Sequence, residues 1–297
     1  MATPPLLGEI LSVVAAVGWA AAVVLFKKSG EETPAIALNL FKNVVTLILL
    51  ALTLLVAGVP FFPDRPLADW GLLAVSGFLA ISVADTLFFL ALQRLGAGLV
   101  AIVDTLYSPA VIALSVGFLG ERLGPRVFVG AGLVVGAILV GTADRPALGR
   151  TRREIVEGTI LGVICMLCLA GGIVMVKDFL GTASVLWTAT VRMFFGIVGL
   201  LPLMIVPRWR RDAGAIFRPR RVWVFALPAA VLGPYVSTIA WLGGFKFALA
   251  SVAAVLNQLS TIFIFVLAAV FLKEPLTPRR TVALVMAVSG AVLVTLR

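Results

Sequence analysis

The sequence predicts an all-α integral membrane protein: ten transmembrane helices arranged as two inverted five-helix repeats. Three observations carry this prediction. Hydrophobic residues make up 61% of the 297 and charged residues 13%, where a soluble domain runs at about 45–50% and about 25%. Apolar segments of roughly the 20 residues that a bilayer crossing needs recur along the whole chain. The second half of the chain also repeats the first.

Each segment can be justified in order. The first, 6–26, carries Glu9 in its opening turn, where a carboxylate suits the positive end of the helix dipole, and it closes at Lys27-Lys28. The second, 34–57, starts near Pro34. The third and fourth, 70–92 and 97–119, are joined only by QRLG at 93–96. The fifth is 127–143. The second set runs 157–177, 183–206, 223–246, 249–271 and 279–297. The longest connections, ADRPALGRTRREIVE at 143–157 and PRWRRDAGAIFRPRRVW at 207–223, are rich in Arg and Pro. They read as loops, too short to be domains.

A shift of 153 lays GAGLVAIVDTLYSPAVIALSVGFLGERLGPR (96–126) on LASVAAVLNQLSTIFIFVLAAVFLKEPLTPR (249–279) without a gap. Glu121 then pairs with Glu274, Leu123 with Leu276 and Pro125 with Pro278. A shift of 150 lays GEILSVVAAVGWAAAVVLFKK (8–28) on GTILGVICMLCLAGGIVMVKD (158–178), pairing Lys27 with Lys177 and Lys42 with Arg192. The repeats are 1–145 and 146–297. Five helices is an odd number, so the second repeat enters the membrane in the opposite direction. Inverted repeats of this kind characterise many secondary transporters, whose substrate site lies near the midplane between the halves.

The net charge of +10 does not indicate a nucleic-acid partner, because the basic residues lie mostly in short loops, where they orient a membrane protein. The two cysteines, Cys165 and Cys168, form a C-x-x-C inside an apolar helix with no second pair to complete a metal site, and the chain has no histidine. They read as packing residues. No metal and no cofactor is expected. Residues 1–8 hold no Lys or Arg, and the first basic pair follows the apolar run, so this stretch does not read as a secretory signal peptide.

The stretches FLGERLGPRVFVGAGLVVGAILVG and FLKEPLTPRRTVALVMAVSGAVLV carry a glutamate-x-leucine step and a later glycine (Gly136, Gly290). With ten helices in two halves, they make the chain resemble the drug/metabolite transporter superfamily, EamA type. The resemblance covers the whole chain. It implies secondary transport, often outward, of a small metabolite, amino acid or drug-like molecule, and a multi-pass protein of the plasma (bacterial inner) membrane.

The candidate site comes from buried charge. Lys42 lies about 12 Å deep in the second helix at ~1.5 Å per residue, where a charge costs about 3 kcal/mol on insertion scales. Asp85 and Asp104, on the next two helices, lie about 10 Å from the same membrane face. A lysine beside two carboxylates keeps its charge; alone it would lose its proton or draw in water. The repeat converts Lys42 to Arg192, Asp85 to Thr238 and Asp104 to Asn257. The basic position survives duplication while both acidic ones are neutralised.

Polar stripes flank this layer: Asn39, Lys42, Asn43 and Thr46; Asp104, Tyr107 and Ser108; Thr188 and Arg192; Asn257, Ser260 and Thr261. In hydrocarbon such stripes must face protein or water. Trp19, Tyr235 and Trp241 would supply aromatic walls. The expected substrate-binding residues are Lys42, Arg192, Asn39, Tyr107, Asn257, Tyr235 and Trp19. Lys42 and Arg192 would hold an anionic or zwitterionic group. Asp85 and Asp104 are the proton-coupling candidates, binding an ammonium or a proton. Glu121 and Glu274, at helix ends, read as caps or interface anchors.

An intramembrane enzyme acting on lipid-linked substrates would need a metal or an acid–base constellation, and the sequence holds neither pattern. A channel would more often repeat identical rings across subunits. The expected partners are a small-molecule substrate, the lipid bilayer and protons, with monomer and homodimer both open. Sixteen Lys and Arg lie in the loops after odd-numbered helices and six in the remaining loops and the C-terminus. Positively charged short loops stay in the cytoplasm, so the count places both termini outside it, whereas the resemblance implies both inside.

Overall fold

A chain in hydrocarbon must satisfy each backbone N–H and C=O within itself, and these apolar runs do so as helices. A computed structural model of the chain describes residues 6–119, 125–142, 151–176, 179, 182–218, 221–247, 256–257 and 259–295, and no strand occurs among them. The first half comprises α1 (Leu7–Ser29), α2 (Ala35–Val56), α3 (Leu67–Leu95), α4 (Ala97–Asp104), α5 (Tyr107–Leu119) and α6 (Pro125–Thr142). In the second half, α7 (Arg152–Val174) is followed by α8 (Val185–Leu200), α9 (Pro207–Ile216), α10 (Trp223–Gly244), α11 (Leu259–Phe271) and α12 (Pro278–Thr295).

Among the described residues, six spans are long and apolar enough to cross a membrane: α1, α2, α3, α7, α10, and α8 with its 3-10 extension to Ile205. Shorter apolar helices cover Ala97–Val111, Phe128–Thr142 and Leu259–Phe271. The protein is therefore an all-helical, multi-pass membrane protein. The signature glutamate Glu121 lies outside the described residues.

The pairing of elements crosses between the halves. Helix α1 packs against α10 and α11, and its counterpart α7 packs against α3 and α5. Likewise α2 packs on α8 and α6 on α12. The core runs through these contacts, from Phe26 and Phe41 to Leu92, Leu99 and Ile102.

Four local features differ from the sequence expectation, each for a physical reason. First, α7 begins at Arg152 rather than 157, because Thr151 and Glu154 form a capping box: the Glu154 N–H donates to Thr151 Oγ1, and Thr151 N–H donates to Glu154 Oε2. Second, the stretch 207–223 is not all loop. Pro207 starts α9, and Ala213 and Ile216 are buried on one of its faces.

Third, the fourth segment is broken at Thr105-Leu106 between α4 and α5. Pro109 lacks the N–H that would bond to the Thr105 carbonyl. Thr105 N–H and Leu106 N–H instead donate to Ile102 and Val103 carbonyls, three residues back. Fourth, α3 and α10 each contain a π-helical stretch, Phe78–Ala84 and Val231–Ser237. The two lie 153 residues apart, the offset that aligns the halves, and directly precede Asp85 and Thr238. Side chains satisfy carbonyls in these wider turns: Asn39 Nδ2 donates to Ile81 O (3.1 Å), Thr86 Oγ1 to Ser82 O (2.6 Å) and Ser237 Oγ to Leu232 O (2.6 Å).

One further contact ties the halves together. Lys273, in the left-handed region at φ 55°, turns the chain after α11. Glu274 then accepts hydrogen bonds from Ala97 N–H (2.9 Å) and Gly98 N–H (3.0 Å), capping α4 of the other half.

Candidate functional site

Lys42 of α2 is 4% exposed. Its Nζ donates to Asp85 Oδ2 on α3 and to Asn43 Oδ1, both at 2.6 Å. A network behind it fixes this geometry. Asn43 Nδ2 donates to Asn39 Oδ1 (3.0 Å), and Asn39 Nδ2 donates to Thr86 Oγ1 (2.9 Å) as well as to Ile81 O. The π-helical stretch before Asp85 widens α3 so that its carboxylate meets the lysine from the neighbouring helix. The ion pair is internally compensated, with side-chain exposures of 5% and 23%. Phe89 closes it on one side, its ring 6.0 Å from Lys42 Nζ.

Arg192 of α8 stands in contrast. Among the described residues it forms no ion pair, and its Nε is buried with no hydrogen-bond partner. It lies within electrostatic reach of Asp85 and of Tyr107, which brings the two halves together around one interior region. Its backbone is held closely. Ser82 Oγ donates to Gly196 O (2.6 Å), and α3 crosses α8 at Gly77, where a Cβ would collide with the Arg192 carbonyl.

Asp104 ends α4, at the break, and Tyr107 begins α5; both are half-buried. Among the described residues Asp104 forms no ion pair with Lys42. Cys165 of α7 lies within electrostatic reach of both Asp85 and Asp104. The break lies beside the ionisable side chains, and hydrocarbon tolerates an interrupted helix only where the backbone lines protein or a water-filled cavity. Asn257, at the position matching Asp104, has a buried Nδ2 without a hydrogen-bond partner.

The aromatic candidates are placed differently. Trp19 packs against Phe88, centroids 5.9 Å apart, and beside Gly233 of the α10 π-helical stretch. Tyr235 OH shares a 2.7 Å hydrogen bond with Thr53 Oγ1 of α2, eleven residues along the helix from Lys42. Cys165 and Cys168 are free thiols.

Sequence reasoning missed the two π-helical stretches and the α4/α5 break. Pro109 for the break and Pro234 for the second stretch were the available signals, since each removes a helical donor; the first stretch, FLAISVA, carries no proline. The described residues contain no group of three or more Asp, Glu or Cys placed to hold a metal ion.

Comparison with known proteins agrees with this architecture. The family model described as the EamA-like transporter family matches residues 6–142 and again 156–296. One solved protein crystal structure is similar over 97% of this chain and 96% of its own, with a TM-score of 0.67 at 18% identity; that likeness concerns the fold alone. No curated protein matches the chain.

Proposed function

This chain belongs to the EamA-like transporter family, and on that premise we propose that it is a secondary active transporter, an exporter, of a small carboxylate-bearing or zwitterionic solute. It works by alternating access between two inverted five-helix repeats, 1–145 and 146–297, in the plasma (bacterial inner) membrane. The ten-helix reading joins α4 with α5 as one interrupted span and leaves α9 outside the count.

The observation that carries this reading is the uncompensated Arg192. A buried polar atom without a partner costs free energy, and a cation in the membrane interior marks a substrate or ion pathway. Its Nε and the Asn257 Nδ2 are donors lacking acceptors, which an anionic group on a solute would supply. Tyr107, within electrostatic reach of Arg192, adds a hydroxyl to that contact. Lys42 joins the binding surface when Asp85 releases it, with Asn39 holding its network in place. Trp19 and Tyr235 form the walls.

Asp104 and Asp85 are the proton-coupling residues. A proton on Asp85 would dissolve the 2.6 Å pair and free Lys42 for the solute, which links protonation to substrate affinity. The test is transport in proteoliposomes under an imposed pH gradient. Asp104→Asn is expected to abolish proton-driven transport while solute exchange without a gradient persists. Should Asp85→Asn and Asp104→Asn both transport like the parent protein, the charged layer is architectural and the reading fails.

A further inference from the structure

A strongly basic stretch, 207–223, lies outside this site. Helix α9 follows the 3-10 end of α8 after a single extended residue, Val206, and so sits where a membrane span leaves the hydrocarbon. One face, with Ala213 and Ile216, is buried. The opposite face and its flank expose Arg208, Arg210, Arg211, Arg218 and Arg221. Among the described residues none of these arginines forms an ion pair. Asp212 is the single acid between 207 and 223.

Apolar side chains bracket the basic face. Ile205 is 82% exposed, and Val206 and Phe217 are exposed at the two ends of α9. Such a pattern, with arginines on an open face between bare apolar residues, fits an interfacial helix on an anionic surface.

The helix is also mechanically placed. Ala213 packs in a cluster with Leu40 of α2 and Leu200 of α8. Phe41, next to Lys42, contacts Phe217 (5.7 Å) and Trp223 (5.2 Å). Trp223 Nε1 donates to Ile216 O (2.7 Å), pinning the end of α9 to the start of α10. Helix α9 therefore braces α2 and α8, which carry Lys42 and Arg192.

We propose that the exposed arginine face of α9 and its flanks is a docking surface for anionic phospholipid head groups of the surrounding leaflet, and that its occupancy steadies the α2–α8 pair. Docking and its steadying of the α2–α8 pair stand on the charge, exposure and packing of α9, independently of the transporter reading above.

The experiment compares the purified full chain with the variant R208Q/R210Q/R211Q/R218Q in detergent. Phosphatidylglycerol, phosphatidylcholine and inorganic phosphate are each added, with thermal unfolding and native mass spectrometry as readouts. Phosphatidylglycerol is expected to raise the unfolding midpoint of the parent by several degrees and to remain bound, while phosphatidylcholine and inorganic phosphate do neither. A basic residue near an anionic surface contributes about fivefold in affinity, so the variant should bind phosphatidylglycerol at least roughly tenfold more weakly. Its midpoint in phosphatidylcholine should match the parent's. The corresponding Lys variant keeps the charge and should retain the phosphatidylglycerol shift, which separates loss of docking from loss of folding. Equal stabilisation by both lipids, an undiminished shift in the Gln variant, or an equal response to inorganic phosphate would each overturn the proposal.

Discussion

The first-half layer around Lys42 and its second-half counterpart around Arg192 occupy equivalent positions in the repeat and have opposite electrostatics. Lys42 has Asp85 and Asn43 at 2.6 Å. Arg192 is matched in the repeat by Thr238 at the sequence position of Asp85, and its Nε is unpartnered. Both positions follow the same crossed pairing: α2 packs on the Val231–Ser237 stretch of the other half, and α8 packs on the Phe78–Ala84 stretch. The scaffold is therefore common and the compensation differs. One half supplies a cation held by the protein itself; the other presents a cation still needing an acceptor. A pair that only filled space would have been served by two copies of the same solution.

The largest effect should come from breaking the compensated half. Removing one partner of a buried ion pair leaves an unpaired charge and costs about 3–5 kcal/mol; with Asp85 23% exposed, Lys42→Ala should fall near the lower end. Arg192→Ala, which strands no partner, should lower the thermal midpoint in detergent far less. If the two variants reverse that order, the contrast between the halves is wrong.

Transport separates the halves in the other direction. A hydrogen bond to a charged group is worth about 1.5–3 kcal/mol, so Arg192→Gln should weaken solute binding by roughly tenfold to a hundredfold with the fold retained, as measured by counterflow and substrate-dependent thermal shift. The sharper version is Thr238→Asp, which puts a carboxylate at the sequence position that matches Asp85. If the two halves compensate charge alike, it should leave stability equal or higher and suppress transport about as strongly as Arg192→Gln, because the cation would then have an acceptor. Undiminished transport in Thr238→Asp would show that Arg192 does not hold the solute.

A smaller effect is expected at the joint between the halves. Glu274 caps α4 with two hydrogen bonds, and losing a cap costs about 1 kcal/mol. Glu274→Ala should lower the midpoint modestly, and Glu274→Gln, which keeps an acceptor, by less. The smallest concerns Tyr235 and Thr53, whose hydrogen bond should contribute about 1 kcal/mol. Tyr235→Phe and Thr53→Val should each remove it, and the double variant should be no worse than the more harmful single one. Additive losses would mean that the two side chains act separately.

Much of the architecture was legible because its signals are local or periodic. The apolar runs announce helices, the 153-residue offset announces the duplication, and a lysine amid apolar residues announces an interior charge that requires a partner. Thr151 and Glu154 spelled out a capping box, and Pro207 a helix start, inside stretches whose Arg and Pro content reads as loop. Those two elements were misjudged through composition, although their capping chemistry was present. Asp85 was legible as an acid at the depth of Lys42. That it rather than Asp104 forms the bond to Lys42 was not, because equal depth does not fix rotation about a helix axis.

By itself, the sequence determined the class of the protein, the membrane, the two halves and which residues carry interior charge, since these follow from hydrophobic area, chain length and residue identity. Tertiary structure decided how the charges are compensated. A π-helical stretch rotates Asp85 toward Lys42, a proline-linked break sets Asp104 and Tyr107 at the ends of two short helices, and α3 meets α8 at Gly77 and Gly196. Each depends on the direction in which a side chain leaves its helix and on which helix lies opposite. Those are properties of packing between segments distant in the chain, and no spacing within one segment contains them.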